Sequence, residues 1–242
     1  MSIESNLTPT QVVIRYLADQ FTETKDQTIL EIVDIADPAT LETEPHKHVR
    51  MFPYSNRSLM WSRIPGLTRF MPMDFVYMFN TLEKLQNPHH FLERLKGTVT
   101  KGYIQTSSPI HECLYYEKPC RGNILNRWII WVETETNCLH LLPKYGVFEY
   151  ISLAPDFEKS MTDLLSTYPH YLYSYYAWSP EKPLRYVIYE QGLNFDVRKD
   201  YPELLKQAIE ETVQSTNDFL NHININKNIF KDNDSISSAP EA

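Results

Sequence analysis

Residues 28–38 read TILEIVDIADP, and the residues on either side of its last acids decide the fold. A short β-branched run carrying one acid (Glu31) and ending at another (Asp34) is how many cofactor-binding α/β sheets begin. In such sheets the strand enters a glycine-rich turn, because only glycine lets backbone N–H groups close on a cofactor. Here the first glycine of the chain is Gly66. The pattern has the strand and lacks the turn.

The bulk numbers agree with that departure. The chain has 242 residues, 42% hydrophobic and 13% aromatic, enough to fill a sizeable core and too apolar for wholesale disorder. It holds 6 Gly against 16 Pro, where average usage is about 7% Gly. Tight turns therefore fall to Pro, Asn and Asp, and glycine-dependent phosphate loops are disfavoured. A formal charge of −8 argues against a broad phosphate-binding face, and so against nucleic acid as a partner. The N-terminus MSIESNLTPT has no apolar signal core, and no apolar run is long enough to span a bilayer. Three cysteines without framework spacing suit a reducing compartment, so the expected location is the cytoplasm, away from membranes.

Outward from residues 28–38, the first half of the chain alternates strand and helix. Thr8-Pro9 is a helix start, followed by Val12, Val13, Tyr16, Leu17 and Phe21 at helical spacing. HVRMF (48–52) is a weaker strand, and 53–73 is irregular and rich in Pro and Met. DFVYMFN (74–80) is a buried strand. TLEKL is a short helical turn, HHFLERLKG a helix closed by Gly97, and YIQTSSP (103–109) a strand with a Pro stop. That alternation predicts a mainly parallel sheet.

The second half reads as a hairpin over 127–143 turning at 133–137, and a helix over 156–168. Aromatic strands in YLYSYYAW and LRYVIYE, expected to be antiparallel, lead to a helix over 201–221. Residues 1–222 form one expected domain, and 223–242, polar and Asn-rich, an expected flexible tail. The Asn, Ile and Lys content of that tail suggests an AT-rich, viral genome.

Residues 74–109 resemble the middle of the class I S-adenosylmethionine (SAM) dependent methyltransferases. DFVYMFNTLEKLQNPHHFLERLK is similar to that family's fourth strand and following helix, with its Phe-Asp-x-Val, Leu-Glu-His and Asn-Pro motifs. GYIQTSSP resembles the fifth strand and the Pro-containing loop after it. The likeness continues through SPIHECLYYEKPCRGNILNRWIIWVETETNCLHLLPKYGVFEYI, similar to a methyltransferase-like subgroup of viruses and bacteria, and covers about residues 28–150.

The resemblance implies a Rossmann-type α/β fold, truncated at its first βα unit and extended by antiparallel C-terminal strands. The family's first motif, Glu/Asp-x-Gly-x-Gly, is LEIVDIADP here, read as a first strand (29–32) joined almost directly to a second (33–35). Asp34 then matches the acid that binds the cofactor ribose, while Glu31, Asn80 and Glu83 fall at the other cofactor-facing positions. Lys84 stands where the family often has His, and Leu125-Asn126 where the subgroup has a pair of histidines. Side chains at Val33, Asp34 and Ile35 fill the space that the glycines leave open. The expectation is therefore a degenerate, non-catalytic relative that binds no cofactor and works through a protein partner or a homodimer.

The alternative is an active SAM-dependent methyltransferase acting on a small molecule, sugar or protein. Chemistry then falls to His111 and Glu112, one of them removing the acceptor's proton.

Each of these residues also has a plainer reading. Asp34 and Asp37 suit a turn. Glu31 is tolerable on an exposed sheet edge. Glu83 suits a helix start, and His89 and His90 the surface. His-x-Cys (111, 113) and Cys-x-His (138, 140) lack the two-to-four-residue spacing of structural zinc pairs, so no metal is expected. For a scaffold, 171–178 and 53–73 are the candidate exposed apolar patches.

Overall fold

The structure is a computed structural model and describes residues 28–33, 47–51, 74–117, 120–146, 148 and 154–222. The expected first helix, Asp34, residues 53–73 and the tail lie outside these. The main sheet has five strands. β1 (Thr28–Val33), β2 (Lys47–Met51), β3 (Phe75–Phe79) and β4 (Gly102–Ser107) are joined by parallel pairings, and β9 (Tyr173–Trp178) runs antiparallel to β4. The order is β2-β1-β3-β4-β9.

Two expectations about the first strands change. Val33 ends β1 rather than opening a second strand, and the neighbour of β1 is Lys47–Met51, the run with the weaker pattern. β1 is also interior, flanked by β2 and β3, so Glu31 sits between Arg50 and Tyr77 and not on an edge.

All five residues of β3 are buried, as expected of a parallel strand covered on both faces. Alternation sorts them. Val76 and Met78 join a hydrophobic cluster with Phe91, Leu92 and Leu95 of α1 (Pro88–Thr98). Phe75, Tyr77 and Phe79 point the other way, and Phe79 meets Tyr103 at 5.8 Å between ring centroids. Tyr103 in turn stacks on Phe219 of the last helix at 5.7 Å. The sheet thus has one face that mixes aliphatic side chains with Tyr176 and Trp178, and one aromatic face. α1 starts on Asn87, whose side chain accepts from the His90 N–H at 3.1 Å, with Pro88 in the first turn. It runs through Gly97 to Thr98, so Gly97 does not close it.

The short helix α2 (Pro109–Glu112) follows β4 at once, and β5 (Tyr115–Glu117) and β6 (Cys120–Arg121) form a small ribbon. The expected hairpin is β7 (Trp128–Glu133) and β8 (Cys138–Pro143). β10 (Tyr186–Ile188) joins β8 in parallel, so LRYVIYE is not the antiparallel strand its pattern suggests. α3 (Pro155–Thr167) lies largely exposed, and α4 (Tyr201–His222) covers the aromatic face. Tyr175, Tyr176 and Trp178 are buried, which removes 171–178 as an exposed patch. Among the described residues the fold is mixed α/β, with four α-helices and mixed sheets.

Candidate functional site

The strand order reverses between β1 and β3: β2 lies on one side of β1, while β3 and β4 lie on the other. Open α/β sheets bind ligands outside the carboxyl ends of their strands at such a reversal. Beyond β3 come Asn80, Thr81 and Glu83; Ser107 closes β4, and beyond it come Ser108, His111 and Glu112. Asn80 takes the left-handed backbone region (φ 45°) that Asn tolerates, and its N–H donates to Gln105 O at 2.9 Å. This sharp exit turns Glu83 inward, where it is 1% exposed in a 3-10 turn (Leu82–Lys84). The turn is held to β7 because the Arg127 N–H donates to Glu83 O at 2.6 Å and Trp128 Nε1 to Leu85 O at 2.7 Å.

On the β4 side, Ser108 caps α2 by accepting from the His111 N–H at 3.0 Å, with Pro109 in the first turn. This single helical turn aims Glu112 into the interior. Glu112 is fully buried and accepts three bonds at 2.7 Å: Ser107 Oγ and Asn126 Nδ2 donate to Oε1, and Lys144 Nζ to Oε2. The Lys144 side chain is equally closed to solvent. Its other protons go to Arg121 O at 3.2 Å and Asn123 O at 3.0 Å, which uses all three ammonium donors. Ser107 Oγ also lies 2.9 Å from His111 Nδ1. Since the serine proton goes to Glu112, Nδ1 carries the shared hydrogen and Nε2 the ring's lone pair.

Gly122 is what makes this packing feasible. Its φ is +59°, and a Cβ there would sit 2.3 Å from Glu112 Oε2 and 2.9 Å from Glu112 Cα. Beside it, Arg121 is fully buried; its guanidinium donates to Cys113 O at 2.8 Å and pairs with Glu158 of α3.

Electrostatics follow from burial. Desolvation lifts the Glu83 carboxyl from 4.5 to about 7, outweighing its own turn's backbone, Lys84 and the Ser107 amide, which favour the charged form. Ser107 N–H reaches Glu83 Oε1 at 3.3 Å, and Oε2 has no hydrogen-bond partner among the described residues. Burial also lowers His111 below its ordinary range, with Glu112 pulling the other way. Cys113 is pushed up to about 12 by burial, which keeps it a thiol and no nucleophile at neutral pH.

Of the residues singled out from sequence, Glu83, His111 and Glu112 converge around Ser107. Asn80 stands at the end of β3 beside them, and Glu31 is within β1 next to β3. Glu112, named with His111 as a possible base, accepts from Ser107, Asn126 and Lys144 with its two oxygens. Sequence patterns do not single out Lys144, Arg121, Gly122 or Ser107. Asn126 stands out in the sequence only as a departure from a histidine pair, and it proves to be a partner of Glu112. His89 and His90 are exposed, as expected. Among the described residues, no group of three or more His, Cys, Asp or Glu could hold a metal ion, and no helix is long and apolar enough to cross a membrane. No family model, no curated protein and no solved structure matches this chain.

Proposed function

We propose that this chain is a methyltransferase-like α/β domain that works as a cytoplasmic binding or assembly module, through a protein partner or a second copy, and not as a catalyst. One observation carries the reading. Where such a sheet would receive its cofactor, the Glu112–Lys144 pair lies closed to solvent, bonded on every side by the chain's own Ser107, Asn126, Arg121 and Asn123. A ligand entering there must break a desolvated ion pair, and removing one partner of such a pair costs about 3–5 kcal/mol. The parallel order β2-β1-β3-β4, its reversal at β1, and an antiparallel edge strand from the C-terminal half support the family resemblance. A first strand, Thr28–Val33, with no glycine after it until Gly66 departs from the family and supports the non-catalytic reading.

A second reading, an active SAM-dependent methyltransferase, draws support from Glu83. A buried carboxyl near neutrality with one unpartnered oxygen is the kind of group that active sites hold. Calorimetric titration of the folded protein with SAM and with its demethylated product separates the two. The module reading expects no heat up to millimolar ligand. Saturable binding at micromolar strength overturns it in favour of the enzyme.

A further inference from the structure

A cleft of about 410 Å³ lies at the other end of the sheet, near the amino-terminal end of β4, where Trp178 pairs with Gly102. Small-molecule pockets run from roughly 300 to 1,000 Å³, so it is large enough for one compact ligand. Its floor is apolar, made by Val132, Tyr175, Ala177 and Phe219. Tyr175 and Phe219 stack on one another, with centroids 5.3 Å apart and 3° between planes. That stacking fixes the floor before anything binds, which lowers the cost of binding a flat apolar body.

The polar groups of the lining narrow the ligand further. Trp178 is 2% exposed, and its Nε1 has no hydrogen-bond partner among the described residues. The buried Oγ1 of Thr134 has none either. Buried polar atoms are nearly always satisfied, so two orphaned ones on residues of one cleft point to an absent acceptor. Lys182 lies on the turn that follows Trp178, where Ser179 N–H donates to Lys182 O at 2.9 Å and Lys182 N–H to Ser179 O at 3.1 Å. Its side chain is exposed on the rim, and its ammonium has no ion-pair partner among the described residues. Asp218, the carboxylate of the lining, already accepts from Gln214 Nε2 at 2.9 Å. Its negative charge disfavours a polyanion such as a phosphate ester, and leaves room for one negative charge opposite Lys182.

We propose that this cleft binds a small aromatic carboxylate of one or two rings, with the rings on the Tyr175–Phe219 floor and the carboxylate toward Lys182. This inference stands independently of the reading of the carboxyl-end site. Calorimetric titration of the full chain with 2-naphthoate tests it. One site with a Kd on the order of 100 μM is expected for a ligand of that size. The uncharged 2-naphthamide should bind about fivefold more weakly, the scale of one exposed ion pair. Lys182→Ala should weaken 2-naphthoate by the same factor and leave 2-naphthamide unchanged. Ala177→Trp, filling the cleft from its floor, should abolish binding of both while circular dichroism shows the fold kept. No saturation at millimolar 2-naphthoate overturns the proposal, as do equal affinities for the two probes, or binding that survives Ala177→Trp. A protein that ignores both probes and sediments as a dimer also overturns it, and assigns the cleft to a second copy.

Discussion

At the carboxyl ends of β3 and β4, Glu112, Lys144, Ser107, Asn126 and Glu83 close on one another with almost no exposure, whereas around Trp178 the same sheet opens a cleft of about 410 Å³ between aromatic rings. The first region is where a ligand is expected from topology, and it is filled. The second has no special place in the topology, and it is open. The difference lies in the side chains. Lys144 supplies three donors that match Glu112 and two carbonyls, so the polar groups satisfy one another without a guest. Rings fixed by stacking, such as Tyr175 on Phe219, leave a gap between β7, β9 and α4 that they cannot collapse into.

The contrast can be broken hardest at Lys144. Lys144→Met strands the Glu112 carboxylate in the interior and should cost about 3–5 kcal/mol in denaturant unfolding. Pairing it with Glu112→Leu should recover much of that loss, because the charge is then gone. A single substitution costing under about 1 kcal/mol would mean that the pair is solvated and the site open.

Glu83 sharpens the comparison through pH. Its carboxyl holds a proton to about pH 7 when folded and loses it near 4.5 when unfolded, so the native state binds more protons in between. Stability from this group is therefore full below pH 4.5 and falls as pH rises to about 7, by roughly 3 kcal/mol in all. Glu83→Gln should flatten that slope and make the variant the more stable protein at pH 8. Denaturant curves at pH 5 and pH 8 read it directly. A wild-type slope that Glu83→Gln leaves in place would assign the titration to another group.

Gly122→Ala should come next in size, at about 2 kcal/mol. The new methyl meets Glu112, and the backbone holds a left-handed conformation that alanine resists. The smallest effect belongs to the open end. Lys182→Ala, on the exposed rim of the cleft, should change stability by less than about 0.5 kcal/mol. A larger loss would show that the rim is structural rather than free.

Local patterns read well where one element is enough to produce the signal. The buried run of β3, the helix over HHFLERLKG, the hairpin of β7 and β8 and the long α4 are all legible from periodicity and turn chemistry. So is the lack of a glycine turn after residues 28–33. Misreadings come where partners decide. Nothing in LRYVIYE states that its neighbour will be β8 in parallel, because strand direction depends on the path of the whole chain. The alternation of YSYYAW is visible, but which faces are covered depends on α4 on one side and the core around α1 on the other.

The sequence by itself determined the α/β class, the strands that could be central, and the missing glycine turn, because these depend on residues close along the chain. The tertiary structure alone decided that Glu112 is the buried ion-pair partner of Lys144. Its partners come from positions 107, 126 and 144, and the room for it depends on Gly122. A carboxylate's role is set by what desolvates and neutralises it, and those groups are assembled by folding rather than by sequence spacing.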